Sequence, residues 1–339
     1  MPRAALSPWQ RLYAAALRGR VRRLDAVAER LPVPVVSIGN LLWGGGGKTP
    51  LAIALAKHLR DQGTPVAVLS RGYRRTSRGA LVVSRGRGPE VSPAAAGDEP
   101  YAMARALPDI GVVVASRRVE AGRLALVELD PRPRLLLLDD GFSHRALARD
   151  LDIVCFPFDD PWGRGRLLPA GWLREPLAAA ARADAAVLTG APERDAAEVG
   201  EDLARALRPV GFAGPGFASV TRALPPRLVA GPPLAPGARV AAAAAIARPE
   251  PFFAALAATG LELVARERFR DHYGYPDREL AALERRARAA GAVALVVTEK
   301  DRAKLEGRLR IPLAVLPIEA RPDTAFWTWL DGRLGALLG

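Results

Sequence analysis

Short apolar runs without polar alternation recur along the first half of the chain. They are Val33–Ile38, Pro65–Leu69, Leu81–Val83, Gly111–Val114, Leu135–Leu138 and Ile153–Phe156. Runs of this kind, rich in Val and Leu, predict strands of a parallel sheet buried on both faces. Helical periodicity fills the intervals: Leu51, Leu55 and Leu59 share one face of 50–61, and 100–107 and 117–129 are also predicted helical. The stretch 157–176, rich in Pro, Gly and Trp, breaks both periodicities and is expected to be a functional loop. A second set follows: strand Ala185–Thr189, helix 195–207, strand Val240–Ile246, helices 249–259 and 277–289, and strand Ala292–Thr298. A Pro-rich connection occupies 222–237, and a final helix over 323–338 carries Phe326, Trp327, Trp329, Leu330 and Leu334. At the other end, Leu6, Trp9, Tyr13, Leu17, Val21, Leu24 and Leu31 fall on one face of a helix opposite Arg11, Arg18, Arg22 and Glu29. That helix suits either an interfacial anchor or packing on its own domain.

The run Gly44-Gly45-Gly46-Gly47-Lys48-Thr49-Pro50 sits between the first strand and the first helix. Strand, glycine-rich turn and Gly-Lys-Thr opening a helix make a phosphate-binding P-loop. Its backbone N–H groups cradle an anion at the helix N-terminus, Lys48 reaches the β/γ-phosphates and Thr49 holds Mg²⁺. Pro50 falls in the first turn, where its missing N–H costs nothing. The usual spacing asks for glycine where this chain has Leu42, and a floppy linker is the alternative. The fold class expected is α/β: a P-loop NTPase-like parallel sheet with helices on both faces, plus a second, smaller α/β/α lobe. The expected divisions are 1–31 (amphipathic, membrane-associating helix), 32–176 (P-loop lobe), 177–317 (second lobe) and 318–339 (strand and helix returning to the first lobe).

Other groups extend the site. Leu135–Leu138 runs into Asp139-Asp140-Gly141, an acid at the carboxyl end of a buried strand, where it can help hold Mg²⁺; an Asp-Gly turn is the alternative. Gly97-Asp98-Glu99-Pro100 precedes a helix, so Asp98 suits an N-cap, a metal ligand or a base taking a hydroxyl proton. Asp271-His272 lies in a polar, aperiodic setting suited to proton chemistry. Arg71 and Arg174 stand in Gly/Pro-punctuated loops, and Arg118 follows Arg117; all are candidate phosphate contacts.

Composition narrows the partners. The 339 residues suffice for two domains, and the net charge of +13 attracts polyanions, phosphorylated substrates or anionic lipid. Nucleic acid is not expected, since aromatic and basic residues scarcely interleave. The single cysteine, Cys155, excludes an internal disulfide and a Cys-based metal site. No stretch reaches the ~18 apolar residues of a spanning helix. The opening residues lack a signal-peptide core, so the expected place is the cytosol or the cytosolic face of a membrane.

Taken in order, these motifs resemble the tetraacyldisaccharide 4′-kinase family of lipid A biosynthesis along nearly the whole chain. The resemblance runs through Pro34–Asn40 and the P-loop, Ser70-Arg71-Gly72-Tyr73, Gly97–Pro100, Leu138–Phe142 with His144, Gly163–Gly171, Leu173-Arg174-Glu175-Pro176, Leu188-Thr189-Gly190 and Thr298-Glu299-Lys300-Asp301. It implies a peripheral, Mg²⁺-dependent kinase on the cytoplasmic face of the inner membrane. That kinase moves the ATP γ-phosphate to the 4′-hydroxyl of a tetraacyldisaccharide 1-phosphate, in a cleft between two α/β/α lobes. It further implies Asp98 as general base tuned by His272, and Lys48 and Thr49 on phosphate and metal. Asp139 and Asp140 support metal and geometry, Glu99 helps with Mg²⁺, and Arg71, Arg118 and Arg174 contact phosphate or substrate. Three positions depart from the family pattern. Ser143 stands for Gln, shortening a polar contact or leaving it to water; Tyr273 stands for a second His; and alanines over Ala241–Ala247 replace a glycine-containing turn, stiffening a loop. The rival readings are a membrane-surface P-loop switch and a binder with a vestigial P-loop. Leu42 replaces the second lysine of partitioning ATPases, and Lys300 is one place late for a guanine motif.

Overall fold

The computed structural model describes residues 27–193 and 196–339, together with Gly19. The predicted amphipathic helix over 6–31 lies almost wholly outside the described residues. Among these, no helix is long and apolar enough to cross a membrane.

The chain opens with β1 (Val35–Asn40), α1 (Lys48–Asp61), β2 (Val66–Ser70), β3 (Leu81–Arg85), α2 (Pro93–Ala96), α3 (Asp98–Ala106), β4 (Gly111–Val114), α4 (Arg118–Glu128), β5 (Leu135–Asp139) and β6 (Leu151–Pro157). It continues with β7 (Ala185–Ala191), α5 (Ala196–Leu207), β8 (Gly216–Ala223), β9 (Arg227–Leu228), β10 (Arg239–Ala244), α6 (Glu250–Ala257), β11 (Glu262–Arg268), α7 (Asp277–Ala289), β12 (Ala294–Val297), α8 (Glu299–Leu305), β13 (Leu313–Val315), β14 (Ile318–Pro322) and α9 (Thr324–Leu338).

Among the described residues, nine strands form one sheet in the order β14-β8-β7-β6-β1-β5-β2-β4-β3, and five form another in the order β11-β10-β12-β13-β9. The large sheet is parallel except at its edges, where β3 and β14 run antiparallel to their neighbours. β1 lies between β5 and β6, so the loop after it opens at the middle of the carboxyl edge, where ligands of open α/β sheets bind. β1, β2, β4, β5 and β6 are buried along their whole length, which accounts for the absence of polar alternation.

Helices cover both faces. On one, Leu51, Leu55 and Leu59 of α1 pack with Met103 of α3 and with Phe326, Leu330 and Leu334 of α9 against Val36, Ile38, Val68 and Leu137. On the other, Val119, Ala121 and Ala125 of α4 meet Val35, Leu69, Val113 and Leu136. Each buried leucine contributes on the order of 2 kcal/mol. The small sheet is likewise covered on two faces, by α7 and α8 over Ala241, Ala243 and Leu295, and by α6 over Val240, Ala242 and Val296.

The structure moves one expected boundary. β7 and β8, at 185–191 and 216–223, extend the large sheet rather than opening the second lobe at 177. They are apolar strands like their predecessors, and only pairing partners distinguish the two sheets. Ala241–Ala244 lie in the strand expected over 240–246, so the alanines do not stiffen a loop: they form a buried central strand, where small side chains let helices close on both faces.

The return to the large sheet rests on Asp323. Its carboxylate accepts the Phe326 N–H at 2.7 Å, capping α9, and the Ala218 N–H of β8 at 2.9 Å. Asp323→Ala removes a cap and orphans a strand N–H, so a loss of roughly 2 kcal/mol is expected. An unchanged denaturation midpoint would count against that cap as a fastening of α9.

Candidate active site

β1 ends at Asn40, and the chain turns through 41–47 into α1. Leu42 is 1% exposed and packs with Phe142, Leu167 and Leu173, which explains why a leucine stands where the usual loop has glycine. Gly44 and Gly47 take left-handed φ values of 97° and 66°. A Cβ on Gly47 would lie 2.5 Å from Thr189 Cβ. The Thr189 hydroxyl donates to the carbonyls of Gly46, at 2.9 Å, and Phe156, at 3.2 Å, and so ties the loop to β6 and β7. A loop held in this way is not a floppy linker. Gly47 occupies the N-cap position of α1, and Pro50 falls in that helix's first turn, so the loop's N–H groups lie at the positive end of the helix dipole.

Beside it, the end of β5 carries two acids with different surroundings. The Thr49 hydroxyl lies 3.4 and 3.5 Å from the two oxygens of Asp139, which is buried. Burial, with Glu99 and Asp140 nearby, pushes the Asp139 carboxyl up to about 7. Asp140, at φ 53°, turns toward cations. Lys48 Nζ is 3.5 Å from its Oδ1, and Arg174 donates to both its oxygens at 3.0 and 3.3 Å. Burial works against its charge, but Lys48 and Arg174 prevail and hold its carboxyl well below the ordinary range. Asn40 joins the two sides: its Oδ1 accepts from Lys48 at 3.3 Å and also from Arg174.

Arg118, at the start of α4, is 3% exposed, and no described group bonds its Nε. Burial brings its guanidinium down to about 10 even though Asp140 and Asp139 support the charge. Arg71 is exposed at the end of β2, and its field reaches Arg118. The three arginines proposed from sequence thus border one acidic edge, although Arg174 alone bonds Asp140 directly.

A second cluster stands at the N-terminus of α3. Gly97, at φ 90°, occupies the cap position, so Asp98 is the first helical residue rather than the N-cap. His272, itself left-handed at φ 60°, donates from Nδ1 to Asp98 Oδ2 at 3.1 Å. Lys304 Nζ lies 2.9 Å from the same oxygen. Burial would raise the Asp98 carboxyl; the His272 and Lys304 contacts reverse this and lower it. Lys300 Nζ reaches Glu99 Oε1 at 3.2 Å, Asp271 Oδ1 at 3.3 Å and His272 Nε2 at 3.2 Å. An ammonium ion can only donate, so it meets the lone pair of Nε2 and leaves the ring proton on Nδ1.

Several of these residues were not singled out from sequence as part of the site. Asn40 and Thr189 look like ordinary strand polar residues. Lys300 and Lys304 share a face of α8 at four-residue spacing, a signal that becomes useful only once α8 is seen to face α3. Glu175, 6% exposed, accepts from Ser143 at 2.5 Å and from Arg182 at 2.9 Å, so the contact at Ser143 is direct. Tyr273 stacks on Phe269 with centroids 5.0 Å apart and serves packing.

No three His, Cys, Asp or Glu residues converge as a metal cage among the described residues. The donors present, Thr49 and Asp139 with Glu99 near, fit Mg²⁺ in its usual nucleotide setting, where one or two carboxylates share the ion with phosphate oxygens and water. The crowding that pushes up Asp139 is what a cation there relieves.

Fold and site together define a P-loop protein of the kinase type, with a glycine-rich loop at the carboxyl edge of the large sheet and an acid–histidine pair beside it that joins the units of the two sheets. The family model described as tetraacyldisaccharide-1-P 4′-kinase matches residues 2–335. A tetraacyldisaccharide 4′-kinase from Geobacter sulfurreducens is 41% identical over 319 residues, covering 91% of this chain and 88% of that one. One from Anaeromyxobacter sp. (strain K) is 43% identical over 301 residues, covering 87% and 79%. A crystal structure of the "apo" form of LpxK from Aquifex aeolicus in complex with ATP superposes with a TM-score of 0.76 at 32% identity, covering 100% of both chains. The chain belongs to the tetraacyldisaccharide-1-P 4′-kinase family.

His144 buttresses Arg118 by accepting its backbone N–H at 3.3 Å. Burial, then the arginines at 118, 149, 71 and 117, lower its imidazole from 6.5 to about 4. Between these values the unfolded chain binds the proton and the folded one does not, so stability falls as pH drops through that window. Urea titrations at pH 7 and pH 5 should show a smaller pH difference in His144→Gln than in the parent; equal differences would contradict this.

Proposed function

We propose that this chain transfers the γ-phosphate of ATP to the 4′-hydroxyl of a tetraacyldisaccharide 1-phosphate, with Mg²⁺, at the cytoplasmic face of the inner membrane. One observation carries the reading. The P-loop with its acids and Asp98 lie along one edge of the large sheet, where His272 reaches Asp98 from the second lobe and Glu99, next to Asp98, is close enough to act on Asp139. Family membership supports the acceptor, and the +13 charge suits a phosphorylated lipid in an anionic membrane.

Phosphoryl transfer asks a protein for positioning and charge stabilisation more than for covalent chemistry. The loop at Gly44–Gly47 and the dipole of α1 take the phosphates, and Lys48 adds charge where the β–γ bridge breaks. Asp98 takes the proton of the acceptor hydroxyl as that oxygen bonds the γ-phosphorus and the bridging oxygen departs with ADP. Asp140, neutralised by Lys48 and Arg174, fixes the lysine rather than the proton. Arg71, Arg118 and Arg174 supply contacts for phosphate groups of nucleotide or lipid. Mg²⁺, held by Thr49 and Asp139 with Glu99 nearby, would offset phosphate charge.

The deciding experiment is transfer from γ-labelled ATP to the purified glycolipid in detergent micelles, with and without Mg²⁺. Labelled lipid that forms only with Mg²⁺ is expected, whereas free phosphate without labelled lipid would indicate a P-loop switch. In the same assay Lys48→Ala should abolish transfer, and parental rates would dismiss the P-loop assignment. Asp98→Asn should lower kcat by roughly 10²-fold with ATP binding nearly intact; a defect confined to ATP affinity would make Asp98 a metal or structural residue.

A further inference from the structure

We infer that Lys304 is a positioning residue for the acceptor step: it pins one oxygen of Asp98 so that the other faces the acceptor hydroxyl. This rests on the reading of Asp98 as the base.

The geometry is asymmetric. His272 Nδ1, by a hydrogen bond of 3.1 Å, and Lys304 Nζ, as an ion pair at 2.9 Å, both converge on Asp98 Oδ2, while no described residue bonds Oδ1. Two anchors on one oxygen fix the carboxylate plane and leave the other oxygen to accept a proton. Lys304 is enclosed rather than bonded: its side chain is only 12% exposed, its ammonium makes no geometrically formed hydrogen bond among the described residues, and Asp301 Oδ1 lies 3.9 Å away. Asp301 is wholly buried and fastened by the Ala245 N–H at 2.9 Å and the Thr298 hydroxyl at 2.8 Å. A line of alternating charge thus runs from the core of the small sheet through Asp301 and Lys304 to Asp98. Both anchors come from the second lobe, whereas Asp98 belongs to the first. The base is therefore oriented only where the lobes meet, which couples their contact to the chemistry. Lys304 touches no position that the P-loop serves, so ATP binding should not depend on it.

The test is a double-mutant cycle in the labelled-transfer assay, using Lys304→Met, which keeps the stem and removes the charge, and Asp98→Asn. Lys304→Gln serves as the second variant if the first folds poorly. Expected is a loss in kcat of roughly 10-fold or more for Lys304→Met with KM for ATP within about two-fold, and little further loss when it is added to Asp98→Asn. An unchanged kcat in the lysine variant would overturn the inference while leaving the base reading intact. So would the same fold-loss in the Asp98→Asn background, which would place the action of Lys304 elsewhere. Parental kcat in Asp98→Asn alone would remove the base reading, and this inference with it.

Discussion

The structure turns on how acidic charge is kept at the carboxyl edge of the large sheet. Asp98, Glu99, Asp139 and Asp140 crowd a partly desolvated cleft, where like charges repel and each carboxylate requires a partner. The partners arrive from both sides. Lys48 and Arg174 come from the P-loop and the irregular loop of the first lobe and secure Asp140. Lys300 and Lys304 come from α8 of the second lobe and secure Glu99 and Asp98. Asp139 has no cation in contact among the described residues and is the one acid pushed up to about 7. It is also the acid beside Thr49, so the unbalanced position coincides with the place that suits a divalent ion.

This arrangement depends on strand order. With β1 central and β5 and β2 beyond it, the loop after β1, the acids after β5 and Arg71 after β2 emerge along one edge. Thr189, after the middle of β7, ties the P-loop from the opposite flank. The second lobe must then present its own charges to that edge, and α8 does so because α3 and α8 pack across the cleft. Arg105 of α3 bonds Glu306, just beyond α8, at 2.6 Å and reinforces the contact.

Much of this was legible in the sequence, and the rest was hidden for physical reasons. Local chemistry was readable: the glycine run, the apolar strand ending in Asp139-Asp140, Asp98-Glu99 and Asp271-His272 each carry their chemistry in adjacent residues, whereas the pairing of Asp98 with His272, 174 positions apart, came only with the family resemblance. Sheet membership was not, because β7 and β8 have the same apolar pattern as strands of either lobe, and pairing is a long-range property. Over Ala241–Ala244 the sequence carried both a strand and a stiffened loop, and the strand holds: alanine has low strand propensity, yet a central strand packed tightly by helices tolerates it. Of the α8 lysines, Lys300 stood in a family motif without a role and Lys304 was not singled out, because a charged face at four-residue spacing is the ordinary signature of a solvated helix. Only the packing of α8 on α3 turns that face into part of the cleft.

On the proposed reading, with Asp98 as base and the P-loop as phosphate cradle, the base is held from a different lobe than the cradle, which has a consequence for a kinase. Water competes with any acceptor for a γ-phosphate, and a site complete in one lobe would offer water a prepared base. Here the P-loop, Asp139 and Asp140 belong wholly to the first lobe, and the nucleotide end is built without the second. The groups that orient Asp98 reside on the second lobe, so the acceptor end is complete only when the lobes are in contact. On the proposed reading, separating phosphate binding from base orientation lets proton removal wait for a closed cleft, which is the condition under which a lipid hydroxyl, rather than water, stands before Asp98.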